Sequence, residues 1–225
     1  MKTDNRPRAA MSWSSGKDSS MALYKILESE KFNVVTLLTT VNIDYERVSM
    51  HGVREELLQM QADACDLPML KVKIPKESTN EVYEEAMQKS IDELKRQKVE
   101  YMIFGDIFLQ DVRDYRIKMM KGTGIEPVFP LWGENTSKLA REIIDAGIRA
   151  RISTLDPRKI STDLGGTDFN YEFLSKLPED ADPCGENGEF HSFVYNAPFF
   201  RQPINFRTGE SVMRDGFYFT DLVPA

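Results

Sequence analysis

Short apolar segments alternate with longer amphipathic segments through the first 132 residues of the chain. Apolar positions recur at helical spacing from about Lys17 to Ser29 and from Val53 to Ala64, which predicts a helix in each range. A third, longer helix follows a capping pattern formed by Ser78 and Glu81. The short segments are β-branched or alternate apolar with polar positions, and they predict strands at 9–13, 33–41, 70–74 and 101–104. This alternation predicts an α/β fold with a doubly wound, mainly parallel sheet.

The pattern changes near residues 126–133, beyond which the alternation stops. A helix is predicted to begin near Ser137 and to end at Gly147, followed by irregular polar sequence and aromatic segments. The segment SVMRDGFYF predicts a β-hairpin that turns at Asp215 and Gly216. We therefore expect two domains, a doubly wound domain over residues 1–132 and a smaller α+β domain over residues 133–225.

Composition narrows the classes of partner. The chain has 225 residues, a formal net charge of −7 and a pI near 5.1, which suits the phosphate backbone of nucleic acids poorly. Its apolar runs fall short of the ~18 residues that a membrane span needs, and its first ten residues hold no apolar leader. Cys65 and Cys184 lie far apart in no zinc-ligand spacing. We expect a cytoplasmic protein with no nucleic-acid or membrane partner.

The segment SWSSGKDSS, residues 12–20, concentrates small polar residues directly after the first predicted strand. One interpretation is an ordinary helix cap, since Ser and Asp are preferred at helix N-termini. A cap has no need of a lysine, however, whereas a phosphate loop at a helix N-terminus gains from the charge of Lys17. Asp18 is placed to bind a magnesium ion that bridges phosphates. We favour a phosphate loop with Lys17 and Asp18 as catalytic residues, formed by Ser14, Ser15, Gly16, Lys17, Asp18 and Ser19.

The chain contains no GxxxxGK[ST] sequence, so this segment is not a Walker A loop. Residues 14–19 resemble instead the SGGKDS pyrophosphate loop of the N-type ATP pyrophosphatases. That resemblance implies cleavage of ATP between the α and β phosphates, with the loop holding the departing diphosphate. Ser15 stands where that pattern has its first Gly, and a positive φ at this position would be strained for Ser.

A second stretch with candidate chemistry is PCGENGEFHSF, residues 183–193. It places two carboxylates, Glu186 and Glu189, in a glycine-rich turn beside Phe190 and Phe193. The simpler interpretation is a solvated acidic turn that leads into an aromatic strand. If the aromatic residues anchor the turn against a core, however, the carboxylates would suit a cationic or amine-bearing ligand or a magnesium ion. The residue types alone leave both interpretations open.

Five motifs together resemble one family. The chain contains, in the order found in the diphthine–ammonia ligase family of adenine-nucleotide α hydrolases, the segments SGKDS, VSMHGVR, FGDI, FPLW and GENGEFHSF. The likeness runs from about Ala9 to Ala225 and is closest to the bacterial branch, since Asn187 and His191 replace the Gly and Glu of characterised members. It implies a Rossmann-like ATP pyrophosphatase domain followed by a smaller domain that carries the acyl substrate.

The resemblance also implies an activity. Characterised members use ATP to adenylate the carboxylate of diphthine, a modified histidine of a translation elongation factor, and release diphosphate. Ammonia then displaces AMP to give an amide. The implied cofactors are ATP and Mg²⁺. The implied partners are a carboxylate substrate, either a small molecule or a modified protein side chain, and ammonia or an amine. A homodimer is a further expectation.

The resemblance extends to site residues by their position in the motifs. Thr39 and Thr40, at the end of the second strand, would lie near the adenosine, and Gly105 and Asp106 would line the nucleotide cleft. The expected substrate-binding residues are His51, Glu186, Asn187, Glu189 and His191. His191 has a pKa range suited to a general base, and the alternative is a structural histidine beside aromatic residues.

Three other functions remain open on the same fold. They are a nucleotide-binding sensor without a ligase step, a tRNA-modifying ATP pyrophosphatase, and a hydrolase that converts ATP to AMP. The acidic charge balance and the absence of a CxxC motif disfavour the tRNA-modifying enzyme. Release of diphosphate in the presence of substrate would separate an enzyme from a sensor.

Overall fold

The computed structural model describes residues 4–42, 47–48, 52–75 and 79–225. Within these ranges, a first group of elements alternates strands and helices: β1 (Arg8–Ser12), α1 (Lys17–Ser29), β2 (Asn33–Asn42), β3 (Arg47–Val48), α2 (Glu55–Cys65), β4 (Met69–Ile74), α3 (Asn80–Arg96), β5 (Tyr101–Ile103), α4 (Gln110–Met120) and β6 (Glu126–Val128). The second group comprises α5 (Thr136–Asp145), β7 (Arg149–Leu155), a 3-10 turn (Thr162–Leu164), α6 (Tyr171–Ser175), β8 (Phe190–Asn196), β9 (Phe206–Arg214) and β10 (Phe217–Pro224).

The first sheet is parallel except at one corner. Strands β4, β2, β1, β5 and β6 are parallel neighbours in that order, and short β3 pairs antiparallel with the end of β2. The chain moves outward from β1 to β2 and β4, and then crosses to β5 and β6 on the other side of β1. Strand order therefore reverses between β1 and β5, where ligands bind beyond the carboxyl ends of the strands. The prediction of a doubly wound, mainly parallel sheet is confirmed.

Both faces of this sheet are covered. Alternate residues of β1 point to opposite sides, so Ala9 and Met11 belong to a core with α1 and α2, whereas Ala10 belongs to a core with α3. The first of these cores continues through Phe193 and Val194 of β8, so the two sheets share apolar packing. The domain boundary near residue 132 stays a prediction.

The second sheet is antiparallel, with the order β8–β7–β10–β9. Its hairpin turns at Asp215 and Gly216, whose φ angles of 51° and 82° are the two left-handed conformations that a type I′ turn requires. Helix α5 begins after Asn135, whose side chain accepts a hydrogen bond from the backbone of Lys138, and Gly147 follows its end with φ of 83°. The predictions of a smaller α+β region and of its hairpin are confirmed.

Two local features differ from the predictions. The N-cap of α3 is Thr79 instead of Ser78, since the Thr79 hydroxyl accepts a hydrogen bond from the backbone N–H of Val82 at 3.4 Å. Helix α4 is not predicted by patterning, because Met120 is its one fully buried residue and no apolar stripe marks it. In the part of the chain that the structure describes, no helix is long and apolar enough to cross a membrane.

Candidate active site

A cavity of about 480 Å³ opens beyond the carboxyl ends of β1 and β5, where the strand order reverses. Residues of β8 and of the turn before it form part of its wall, so the second sheet closes one side. The fold brings to this cavity ten of the residues that the sequence suggested: Ser14, Lys17, Asp18, Ser19, Thr39, Thr40, Gly105, Asp106, Glu186 and His191. The topology of the parallel sheet therefore assembles one site from segments far apart in sequence.

The start of α1 is stabilised from the second sheet. Its N-cap residue is Gly16, which supplies no side-chain oxygen, so the structure does not use the preceding serines as an N-cap. The backbone N–H of Lys17 donates instead to Oγ of Ser192 on β8, at 3.2 Å. The loop and the second sheet are thus joined at the wall of the cavity.

The backbone at Ser15 is strained. Its φ is 72°, its side chain is fully buried, and its Oγ makes no hydrogen bond to a described residue. Such a left-handed conformation costs about 1–3 kcal/mol for residues other than glycine, so neighbouring groups must hold it. The Ser15 carbonyl accepts from Gln61 Nε2 at 3.0 Å and from the backbone N–H of Val194 at 2.9 Å. Gln61 is fully buried and also accepts from Trp13 Nε1 at 2.9 Å, which locks the loop to β1 and β8.

Lys17 supplies a fixed positive charge. Its side chain is 2% exposed, and its ammonium donates to both carboxylate oxygens of Asp18, at 2.9 and 2.8 Å, and to the carbonyl of Cys184. The rings of Phe169 and Phe190 lie 5.6 and 5.1 Å from Nζ. Burial is the largest single influence and lowers the pKa of Lys17, but the attractions of Asp18, Cys184 and Glu186 together outweigh it, so the pKa lies above its usual value. The lysine is therefore charged at neutral pH.

Three carboxylates, those of Asp18, Asp106 and Glu186, line the same cavity. Burial and the charge of Asp18 raise the pKa of Glu186 to about 7, although the backbone N–H of Ile107 donates to its Oε1 at 3.0 Å. Burial also raises the pKa of Asp106, whose Oδ2 is buried without a hydrogen bond to a described residue. Because like charges that share a partly buried space repel, a cationic group or a metal ion between them would be stabilised.

The donor set fits a magnesium ion that arrives with a nucleotide. Among the described ranges, no group of three or more His, Cys, Asp or Glu side chains is arranged to hold a metal ion. In nucleotide sites, however, one or two carboxylates together with phosphate oxygens bind Mg²⁺. Asp18 and Asp106 both line the cavity, and the buried Oδ2 of Asp106, which has an ion-pair neighbour in Arg116 at 3.7 Å but no hydrogen bond to a described residue, would gain a direct ligand bond from such an ion.

Gly105 lets β5 approach the first turn of α1. A Cβ atom at this position would lie 3.0 Å from the carbonyl carbon of Asp18 and 3.0 Å from the backbone nitrogen of Ser19. Since backbone atoms cannot move aside as a flexible side chain can, any side chain at 105 would separate β5 from the loop. The close approach also places Asp106 beside the start of α1.

The other side of the cavity combines apolar walls with an unsatisfied hydroxyl. Thr39 is buried on β2 and lines the cavity, and its buried Oγ1 has no hydrogen-bond partner among the described residues. A buried hydroxyl without a partner is unfavourable, so a polar ligand group at this position would be stabilised. The apolar residues of this side are Leu38, Met87, Met102, Phe104, Val112 and Met119.

The acidic turn is anchored, and it directs its two glutamates differently. Glu186 lines the cavity, whereas Glu189 is 3% exposed and its Oε1 accepts from the backbone N–H of Asp182 at 3.1 Å. Asn187 is exposed; its side chain donates to Glu189 and its carbonyl accepts from Lys159. The structure brings neither Glu189 nor Asn187 to the cavity, and their assignment to substrate binding stays a prediction.

The remaining predicted residues also differ in whether they line the cavity. Ser15 and Gly16 lie behind the cavity as backbone of the loop, and they are not among the residues that line it. His191 lies on β8 and lines the cavity beside Ser192. His51 lies outside the described residues.

Sequence reasoning missed three residues of the site. Arg116 reaches the cavity from α4, and Ser192 and Gln61 hold the loop from β8 and α2. Ser192 and Gln61 are polar residues at buried positions of a strand and a helix, which is a weak signal that a sequence can show. Arg116 carries no such signal, because α4 is exposed over most of its surface.

Comparisons with known proteins point to one family. The family model described as the diphthamide synthase N-terminal domain matches residues 7–127, and the one described as the diphthamide synthase C-terminal domain matches residues 135–221. The chain is 27% identical over 197 residues to diphthine–ammonia ligase of Mus musculus and 28% identical over 197 residues to that of Homo sapiens. Each alignment covers 79% of this chain and 70% of the relative. The enzyme of the same name from Rattus norvegicus is 27% identical over 195 residues.

Proposed function

This chain belongs to the diphthamide synthase family, and we propose that it is an ATP-dependent ligase that joins a carboxylate to ammonia or an amine. Its mammalian relatives carry the name diphthine–ammonia ligase, which is the source of the proposed reaction class. Diphthine itself is the first substrate to test. The characteristic Gly and Glu of the acidic turn are replaced here by Asn187 and His191, so a different carboxylate is the second.

One observation supports this proposal most directly. The buried ammonium of Lys17 lies at the start of α1, beyond the carboxyl end of β1, in a cavity that residues of β8 close from the other side. A fixed positive charge, a helix N-terminus and a strand-order reversal in one place favour the phosphates of a nucleotide. An ATP molecule has the anionic and apolar parts that match the two sides of the cavity.

The first proposed step activates the carboxylate. A carboxylate oxygen attacks the α-phosphorus of ATP, the bond from this phosphorus to the bridging oxygen breaks, and diphosphate leaves with the electron pair. Lys17 and the N-terminus of α1 would stabilise the negative charge that accumulates on the departing diphosphate. A Mg²⁺ ion bound through Asp18 and Asp106 would supply further neutralisation of that charge.

The second proposed step forms the amide. The nitrogen of ammonia attacks the acyl carbon, the bond from this carbon to the AMP oxygen breaks, and the attacking nitrogen loses a proton. Glu186, with a pKa of about 7, and His191 both line the cavity and are the residues positioned to accept that proton. The second sheet, which closes one wall, would limit hydrolysis of the acyl-adenylate by water.

The test incubates the protein with ATP, Mg²⁺, ammonia and a diphthine-bearing elongation factor, and a parallel sample replaces that factor with a metabolite extract. We expect AMP and diphosphate to form together with a product that is one dalton lighter than its substrate, since conversion of an acid into its amide replaces OH by NH2. The amount of AMP should match the amount of that product. Formation of AMP without a mass change in any substrate would contradict the proposal and indicate a hydrolase that converts ATP to AMP. Nucleotide binding without AMP formation would indicate a sensor, and a mass change confined to added tRNA would indicate a tRNA-modifying enzyme.

A further inference from the structure

Arg116 faces the cavity from the helix that sequence patterning does not predict. It lies on α4 between Val112 and Met119, and the spacing of these three residues places them on one face of the helix, which lines the cavity. Its guanidinium carbon lies 5.2 Å from the ring centroid of Phe104, which restricts the orientation of the side chain. The side chain is 29% exposed, so it is neither buried in a core nor free in solvent.

The two cations among the described lining residues differ in what they already bind. An ammonium group has three donors, and those of Lys17 face the two oxygens of Asp18 and the carbonyl of Cys184. A guanidinium has five donors; the buried Nε of Arg116 makes no hydrogen bond to a described residue, and the side chain forms a loose ion pair with Asp106. Its nearest carboxylate oxygen, Oδ2 of Asp106, lies 3.7 Å from its Nε, which is beyond hydrogen-bond distance.

The position of Arg116 relates it to the phosphate loop. Asp106 follows Gly105, which packs against the backbone of Asp18 and Ser19 at the start of α1. Arg116 lies beside Asp106 and therefore on the same side of the cavity as that helix N-terminus. The acidic turn contributes Glu186, whose Oε1 accepts a hydrogen bond from the backbone N–H of Ile107, the residue after Asp106. Arg116 is therefore the cation that faces the carboxylates of Asp106 and Glu186 at this end of the cavity.

We propose that Arg116 binds the phosphates of the nucleotide and is the residue that responds to nucleotide binding, while Lys17 remains held by Asp18. Its donors match phosphate oxygens in a two-pronged geometry, and an arginine held over an aromatic ring loses little freedom when it binds. This inference depends on the proposed function in one respect: it takes the ligand to be an adenine nucleotide.

The test measures binding of the α,β-methylene analogue of ATP, which cannot be cleaved between the α and β phosphates. Titration calorimetry compares the wild-type protein, Arg116→Gln and Arg113→Gln, with adenosine as a second probe. Arg113 is the matched control, because it lies on the same helix but stacks on Trp132 and Phe129, at 4.7 and 5.2 Å, away from the cavity. Thermal unfolding of each variant checks that the fold is intact.

We expect Arg116→Gln to weaken binding of the analogue by about 10–100-fold, the range for losing charge-assisted hydrogen bonds. Adenosine binding should stay within about threefold, and Arg113→Gln should leave both affinities within that range. Arg116→Lys should recover part of the loss, since it restores charge without the two-pronged geometry. Unchanged binding of the analogue by a folded Arg116→Gln protein would overturn the assignment, as would equal losses for the analogue and adenosine.

The same experiment separates this inference from the proposed function. If the wild-type protein binds the analogue through Arg116 but forms no AMP from ATP, the ligase proposal fails and the phosphate assignment stands. If AMP and amide form but Arg116→Gln binds the analogue normally, the ligase proposal stands and the assignment fails.

Discussion

The loop at residues 12–20 and the turn at residues 183–191 are both dense in polar residues, yet the fold uses them differently. Four of the loop residues predicted to bind nucleotide, Ser14, Lys17, Asp18 and Ser19, line the cavity. In the turn, Glu186 lines the cavity, whereas Glu189 is buried outside the lining and accepts a hydrogen bond from the backbone of Asp182. A loop that follows a parallel strand is directed to the ligand edge by topology, whereas a turn after irregular chain points its side chains as local packing dictates.

The largest expected effect comes from removing the positive charge of Lys17 from the loop. Lys17→Met is expected to lower kcat by about 10²–10³, because a preorganised charge opposite the departing diphosphate is lost. Steady-state assays of AMP formation measure the effect, with Lys25→Met as the control on the same helix. Lys25 pairs with Glu134 and Glu142 at the surface, so its removal should leave kcat nearly unchanged. Near-normal turnover of Lys17→Met would place Lys17 away from the reacting phosphates.

Substitutions of the two glutamates of the turn should change stability in opposite directions. Glu189→Ala removes the acceptor of a buried backbone N–H and should lower the free energy of unfolding by about 1–3 kcal/mol. Nucleotide affinity, measured at low temperature on the folded fraction, should change little. Glu186→Gln keeps the acceptor for the backbone N–H of Ile107 and should leave stability equal or higher at neutral pH, since it removes a carboxylate that the fold disfavours in its charged form. A stable Glu189→Ala protein that fails to bind nucleotide would assign Glu189 to the ligand.

The raised pKa of Glu186 predicts a pH dependence of stability. Burial and Asp18 raise the folded-state pKa to about 7 from 4.5, with Asp106 adding and Lys17 and the Ile107 N–H opposing. As pH rises from 4.5 to 7, the unfolded state loses this proton first, so the contribution of Glu186 to the free energy of unfolding falls. Glu186→Gln keeps the acceptor for Ile107 and removes the ionisation. The free energy of unfolding of Glu186→Gln, relative to that of wild type, should therefore rise by about 1–2 kcal/mol between pH 4.5 and pH 8, after allowance for solvent screening.

Urea unfolding of both proteins at these two pH values, without Mg²⁺ and nucleotide, measures the difference. An equal stability difference at pH 4.5 and pH 8 would mean that Glu186 ionises normally in the folded protein.

The smallest effect should come from relieving strain in the loop. Ser15→Gly removes a non-glycine residue from a φ of 72° and a buried hydroxyl that has no partner among the described residues, while it adds freedom to the unfolded chain. The net gain is expected to be about 1 kcal/mol, seen as a rise in Tm of about 2–4 °C. Ser14→Gly is the control, because Ser14 has no positive φ and its hydroxyl donates to Ser19. A lower Tm for Ser15→Gly would show that neighbouring contacts favour the serine.

Much of the sheet could be predicted from the sequence. Helix α1 begins and ends at the predicted residues, and β2 and β4 differ by a single residue, because apolar periodicity is strong there. Patterning failed where that signal is weak. Thr79 caps α3 because its backbone adopts the extended N-cap conformation and its hydroxyl accepts from Val82, and α4 buries too little to leave a stripe. The candidate site was predictable where a polar residue lies within a few positions of the end of a parallel strand, as Asp106 does after β5.

The sequence by itself determined the alternation of elements, and with it the edge of the sheet at which a ligand must bind, since hydrophobic period and strand connection depend on local residues. The tertiary structure alone decided which polar side chains enter the cavity: Arg116 arrives from an exposed helix, Ser192 joins the loop from another sheet, and Glu189 is withdrawn. Such contacts join residues up to 175 positions apart. They follow from how helices and sheets pack together, which no local pattern encodes.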